Sequence, residues 1–260
     1  MNRWRTSTLA PLLVLAVVLL VWDLTVRIGN LPVVILPGPL NVLAAAVRRS
    51  DQLLWATLRT AGAAITGLCV STVTGVLIAF VFSQSAIARR ALYPYAVLLQ
   101  TVPIIAIAPI VIVSFGRGFL SVSIVASVIS LFPIITNTTT GLLQIDRDLR
   151  DLFRLYRSSW WQQLIRLQLP AAMPYLITGI RIAGGTAIVG AIVGEFFVGS
   201  STPGLGALIQ RKMSDPDLSE LYATVAASTL LGTIMFGSLS FAGDQFLKHR
   251  YGMSLSGPTT

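Results

Sequence analysis

Of 260 residues, 54% are hydrophobic and only 11% charged, far from the roughly 25% charge of a soluble domain; this excludes a water-soluble globular protein and points to an integral membrane protein. The net charge of +9, from 19 Lys and Arg against 10 Asp and Glu, is spread over short polar intervals with no separate basic domain, which fits Arg-rich cytoplasmic loops and argues against nucleic acid as a partner. The single cysteine, Cys69, and single histidine, His249, exclude an internal disulfide and a His/Cys metal cluster.

A hydrocarbon core of ~30 Å takes about 20 mostly apolar residues per helix, and six stretches qualify in chain order, near 9–26, 61–82, 91–115, 120–138, 174–198 and 222–246. The expected fold is therefore all-α and membrane-embedded, one transmembrane domain over 1–260. Arg3 and Arg5 precede the first stretch as in a signal peptide, but no small-residue cleavage site follows, so it reads as an uncleaved span. Asp23 and Arg27 stand at i,i+4 near its far end, where they can pair. The LPGP at 36–39 predicts a turn, and Leu40 to Ala46 with Leu53, Leu54 and Trp55 predict an amphipathic helix on the membrane surface.

Pro103 and Pro109 fall inside the third span. Proline removes a ladder hydrogen bond, which a membrane protein tolerates where a neighbour or a cavity satisfies the freed carbonyl. A broken helix lining a pathway is expected there. Gln100 and Thr101 in this span, and Ser130, Asn137 and Thr138 in the fourth, fit either a polar pathway or hydrogen bonds between helices. Glu195, toward the end of the fifth span, fits either a pathway carboxylate or a hydrogen-bond acceptor for the glycine-rich loop that follows. Gly184, Gly185, Gly190 and Gly194 read as points of close helix approach.

Between spans four and five lies DRDLRDLFRLYRSSWWQQLIRLQLP, residues 146–170, the most charged stretch of the chain. Leu149, Leu152, Phe153 and Tyr156 recur at i, i+3, i+4, i+7 and give one apolar stripe, with Arg147, Arg150, Arg154 and Arg157 on other faces. Asp146, Asp148 and Asp151 suit the positive end of that helix. Ser159 followed by Gln162 has capping-box spacing and starts a second short helix, with Leu169-Pro170 expected to stop it. With the N-terminus inside, eleven Lys and Arg share a side with this helix pair: Arg3, Arg5, Arg89, Arg90, Arg147, Arg150, Arg154, Arg157, Arg166, Lys248 and Arg250. Five (Arg48, Arg49, Arg117, Arg211 and Lys212) lie opposite. The positive-inside rule then places both termini and the helix pair in the cytoplasm. On these residues alone the pair fits a helix resting on headgroups or a knob docking into a cytoplasmic partner.

The same segment resembles the coupling loop of permease subunits in binding-protein-dependent ABC importers, whose pattern is E-A-A, three residues, G, nine residues, I-x-L-P. Asp151, Leu152 and Phe153 stand at the E-A-A triplet, Arg157 at the glycine, Leu167 at the isoleucine, and Leu169 and Pro170 at the L-P. PAAMPYLITGIRIA (170–183), VGEFFVG (193–199), PGLGALI (203–209), LPGPLNVL near 36 and VPIIAIAPI near 103 extend the resemblance to the branch that imports nitrate, sulfonates, taurine and thiamine-precursor pyrimidines. LFRLYRSSWWQ is similar to members associated with pyrimidine precursors or riboflavin. The resemblance implies a permease of the bacterial inner membrane that pairs with a second, identical permease and with two ATPase subunits, and receives substrate from an extracytoplasmic binding protein. It also implies that Leu152 and Phe153 anchor the ATPase contact while Arg154 and Arg157 orient it. This chain lacks G-x-x-x-x-G-K-[ST], so ATP and Mg belong to the partner ATPase, and the chain itself is expected to be non-catalytic and without a cofactor. A secondary transporter with an interfacial helix is the alternative; it is expected to show two related halves, and no internal repeat is visible.

Overall fold

The computed structural model describes residues 3–198 and 203–252, and among these the regular structure is helical. Eleven helices follow in order: α1 Arg3–Ile28, α2 Pro39–Arg48, α3 Ser50–Gln84, α4 Ala86–Thr101, α5 Ile104–Phe115, α6 Phe119–Leu143, α7 Arg147–Leu155, α8 Trp160–Gln163, α9 Leu169–Val198, α10 Leu205–Lys212 and α11 Ser219–Tyr251. Five described helical stretches are long and apolar enough to cross a membrane, in α1, α3, α6, the run 160–198 and α11. The remaining expected span, 91–115, is two helices. The chain is extended at Val102 (φ −69°, ψ 125°) and restarts with Pro103 as the residue before α5. Pro109 sits within α5 without ending it.

The core is a layer of α3, α6 and α9. Buried Ala63, Ala64 and Leu68 of α3 meet Val122, Ala126 and Ile134 of α6, and Ala183, Ala187 and Ala191 of α9. Lipid is as apolar as leucine, so helices in a bilayer gain most where small residues let backbones approach. Ala126 shows this from both sides. A Cβ at Gly67 would lie 2.7 Å from the Ala126 Cβ, and one at Gly190 would lie 2.8 Å from its Cα. Gly184 packs on Leu239 and Gly194 on Val122, as expected of close-approach glycines, but Gly185 has open space within 4 Å and makes no such approach. It points away from the helices that its neighbours touch.

Two boundaries differ from the sequence expectation. The second span starts at Ser50 rather than near 61, so Leu53, Leu54 and Trp55 belong to a continuous 35-residue helix. The surface helix is α2 alone, whose Val42 and Ala45 pack on Ala223 of α11 beside Trp22 and Tyr222. The short helix opened by Ser159 does not stop at Leu169-Pro170 either. It runs through a π-helical turn, Leu164–Gln168, into α9. The wider turn, with Leu169 N–H bonded to the Leu164 carbonyl, accommodates a proline one residue later that would otherwise crowd the preceding turn. The predicted pair Asp23–Arg27 forms, at 2.7 Å.

Candidate functional site

Two regions are candidates for the functional site. The first is a cavity of about 510 Å³ beside the α4–α5 break, where Gln100 and Val102 face Phe132, Pro133, Thr136 and Asn137 of α6 and Ile182, Thr186 and Val189 of α9. Pro133 lacks an N–H, so the carbonyl of Ile129, which also lines the cavity, has no helical donor four residues on. Asn137 Nδ2 donates to the Pro133 carbonyl at 2.8 Å. No lining residue is charged, so the wall offers hydrogen bonds and apolar surface.

Of the sequence candidates for a pathway, Gln100 and Asn137 meet at this cavity. Thr101 lies next to it as the last residue of α4, its hydroxyl donating to the Leu98 carbonyl at 2.9 Å. Ser130 lies elsewhere, buried between α6 and α3, where its hydroxyl donates to Ser71 Oγ at 2.8 Å. Thr138 is also buried, and its Oγ1 has no partner among the described residues.

Glu195 is separate from all of these. It is buried where α9 meets α3 and α10, and its carboxylate accepts from Thr60 Oγ1 at 2.9 Å and from the Gly206 N–H at 2.9 Å. Thr60 Oγ1 in turn accepts from the Leu205 N–H at 2.9 Å. The first N–H groups of α10, which have no intrahelical acceptor, are therefore bound by a carboxylate and a hydroxyl from two spans. A side chain at Gly204 would collide with the Glu195 carboxylate, and one at Gly206 with the Ile192 carbonyl. The glycines of PGLGALI make room for this cap.

The same end of the molecule carries an ion network that sequence spacing did not reveal. Lys212 Nζ bonds Asp215 Oδ2 and Glu220 Oε2, each at 2.8 Å, and Arg49 Nε bonds Glu220 Oε1 at 3.0 Å. The Asp215 and Glu220 carboxylates hold the Lys212 ammonium above its usual range. Arg49 and Glu220 lie 171 residues apart, so no local pattern could pair them.

The second region is the segment after α6. α7 ends through Arg157, which adopts the left-handed conformation (φ 48°), and the Ser158 N–H reaches back to the Phe153 carbonyl at 3.1 Å. This is a Schellman ending, whose left-handed position favours glycine. Arg157 occupies that position. Ser159 then forms the predicted capping box, accepting from the Gln162 N–H while its own N–H donates to Gln162 Oε1 at 2.8 Å. Trp160 Nε1 donates to Gln84 Oε1 at 2.8 Å and Gln84 Nε2 donates to Gln168 Oε1 at 3.2 Å, tying the segment to the end of α3. Leu164 and Leu167 are buried and anchor the π turn in the bundle.

Leu149, Leu152, Leu155 and Tyr156 remain exposed, Leu155 and Tyr156 at 80% and 79%. Phe153 is partly buried and, with Leu152 and Tyr156, lines a cleft of about 250 Å³ against Gln162 and Arg166. Asp151 and Leu169 are exposed and Pro170 is partly buried; the side chain of Arg154 lies outside those described. Leu155 was not among the sequence candidates because the i+3, i+4 stripe passes it by.

Residues 71–249 match the family model of binding-protein-dependent transport system inner membrane components. The chain is 32% identical over 234 residues to the formylaminopyrimidine transport permease protein ThiX of Halalkalibacterium halodurans, covering 90% of this chain and 92% of that one. It is 32% identical to the riboflavin transport system permease protein RibX of Chloroflexus aurantiacus over 92% of this chain and 90% of that one. Over 96% and 90% of the two chains it is 26% identical to the putative aliphatic sulfonates transport permease protein SsuC of Bacillus subtilis. Its fold resembles a chain of the inward-facing MetNI methionine ABC transporter, with a TM-score of 0.60 at 20% identity, covering 78% of this chain and 97% of that one. With its family match, its full-length relatives and its apolar helices, this chain belongs to the binding-protein-dependent inner-membrane permeases, the non-catalytic membrane subunits of ABC importers.

Proposed function

We propose that residues 146–170 dock this permease on its ATPase and that the cavity beside the α4–α5 break is the path of a small, neutral, hydrogen-bonding nutrient, a pyrimidine or vitamin precursor in preference to a sulfonate or nitrate-like anion. What carries the coupling reading is continuity: α7 is joined through a Schellman ending and a capping box to a helical run that continues into α9 without a break. A push on Leu152 or Phe153 would reach Asn137 and Thr186 through packed helices. Exposed Leu149, Leu152, Leu155 and Tyr156 suit insertion into an apolar groove of a partner, with Arg157 and Asp151 orienting the contact. Two copies of the permease would share two ATPase subunits, which hold the ATP and Mg, and a binding protein would load the complex from outside.

The uncharged cavity wall favours a neutral substrate, since an anion stripped of water needs a compensating charge. The two 32%-identical relatives whose names specify formylaminopyrimidine and riboflavin point the same way. The coupling test is Phe153→Asp. The variant is expected to insert and to elute as the wild type does, yet to lose co-purification with the ATPase and to lose uptake; normal assembly and uptake would refute the assignment. Ligand binding to the partner binding protein tests the substrate class, and preference for a sulfonate over an aminopyrimidine would refute it.

A further inference from the structure

We infer that a basic pocket between α4 and the end of α6 binds a phosphate group, carried either by an anionic phospholipid headgroup or by a small phosphorylated solute. The pocket, about 370 Å³, is lined by Arg89, Arg90 and Tyr93 of α4 and by Thr139 and Thr140 of α6, with Pro94 and Leu143 as its apolar edge. Two guanidinium groups and three hydroxyls meet there without a carboxylate among the lining residues.

The Thr140 hydroxyl donates to the Thr136 carbonyl at 2.8 Å and offers the pocket only its lone pairs; the other donors are less committed. Arg90 is exposed and makes no ion pair with any described residue. Arg89 gives Nη1 to the Phe82 carbonyl at 2.9 Å, one of the orphan carbonyls at the end of α3; this fixes the side chain and leaves its other N–H groups available. Thr139 is 4% exposed, and its Oγ1 is buried with no partner among the described residues. Tyr93 is fixed by its ring against Phe82, with centroids 6.2 Å apart. A planar guanidinium fork can serve two phosphate oxygens at once, and a second cation beside it can meet a further oxygen that a carboxylate does not have.

Position favours the lipid as carrier. Arg89 ties the pocket to the Phe82 carbonyl at the end of α3, the helix end whose Gln84 bonds Trp160 and Gln168, and Leu143 on its apolar edge and Leu92 beside it on α4 are exposed. Basic pockets between spans on the cytoplasmic side suit anionic headgroups. This inference goes beyond transport, since none of the five polar lining residues belongs to the cavity proposed as the path.

The test uses the assembled transporter extracted in mild detergent. Native mass spectrometry counts retained phosphatidylglycerol against added phosphatidylcholine, for the wild type, Arg90→Gln, Arg90→Lys and Thr139→Val. Arg90→Gln is expected to weaken phosphatidylglycerol retention about fivefold, corresponding to about 1 kcal/mol per basic residue at a membrane surface, with Arg90→Lys close to the wild type. Thr139→Val is expected to weaken it less, with unchanged thermal unfolding. Excess inorganic phosphate and glycerol 3-phosphate form the second arm. If they displace the lipid or bind on their own in an Arg90-dependent way, the carrier is a solute; if they do neither while retention depends on Arg90, it is the headgroup. Equal retention of both lipids with no Arg90-dependent phosphate binding overturns the inference.

Discussion

Glu195 shows how an apolar chain holds a carboxylate inside a span. Burial of an unpaired charge is prohibitive, and here two donors from different elements, Thr60 and the Gly206 N–H, meet it while the carboxylate supplies what α10 lacks at its start. The value of the group is as an acceptor. Glu195→Leu is expected to orphan the Gly206 N–H and the Thr60 hydroxyl, at about 1–3 kcal/mol for each buried group left unpaired, and to lower the Tm of the detergent-solubilised protein by several degrees. Glu195→Gln keeps an acceptor oxygen and should lose distinctly less. Equal losses in tryptophan-fluorescence melts would show that the charge matters and the acceptor does not. Arg157 poses the opposite case, a residue whose backbone is strained by its own side chain. The left-handed region costs a non-glycine residue about 1–2 kcal/mol, and Arg157 sits there at φ 48°. Arg157→Gly should therefore slow hydrogen exchange at the Ser158 amide and retain uptake, while Arg157→Val should speed that exchange. If glycine leaves exchange unchanged, the strain is relieved by neighbours of the guanidinium.

At the scale of elements, what could be read in the sequence depended on whether the cause was local. The apolar stripe of α7 and the capping box of α8 are set by residues three and four apart, so both were legible. The turn at Arg157 was less legible, because the residue that marks it in the family is glycine and only Ser158-Ser159 signalled a new helix; it forms nonetheless, since a Schellman ending is a backbone hydrogen-bond pattern whose energy the arginine raises without removing it. The π turn was not legible. It depends on Leu164 and Leu167 being buried against the bundle while Pro170 follows, and sequence spacing gave the proline its usual meaning as a stop. The early start of α3 was hidden for a related reason. Residues 50–60 include Asp51, Gln52 and Arg59 and read as a polar interval, but Ala56 and Thr60 form a buried strip that packs against α10. The candidate path was legible in part: the prolines of span three foretold the break at Val102-Pro103, whereas Pro133 of span four, whose missing N–H frees the Ile129 carbonyl, carried no sequence signal that set it apart from its apolar surroundings. Which hydroxyls face the cavity and which face Ser71 is decided by helix rotation, and rotation is set by the close contacts at Ala126.

For the whole molecule, the two ends of the bundle differ in their excess of basic residues. Arg89, Arg90, Arg150, Arg157 and Arg166 gather around α7 and the π turn with Asp146, Asp148 and Asp151 among them, while at the other end Arg49 and Lys212 pair with Asp215 and Glu220. The positive-inside rule counts Lys and Arg and gives little weight to acids, so the first end is expected on the cytoplasmic side, together with Lys248 and Arg250 at the close of α11. This orientation follows from charge alone and can be measured. In a Cys69→Ser background, Ser214→Cys and Lys248→Cys each place one thiol at an exposed site, the first in the turn before α11 and the second in its last turn. A membrane-impermeant maleimide should label Ser214→Cys in intact spheroplasts and Lys248→Cys only after permeabilisation. The reverse pattern would put α7 outside, where an intracellular ATPase could not reach it, and would remove the coupling proposal along with the topology. Labelling of both sites in intact spheroplasts would show that 219–251 does not cross the membrane, which its length of 33 residues and apolar composition argue against, since about 20 apolar residues suffice for one crossing.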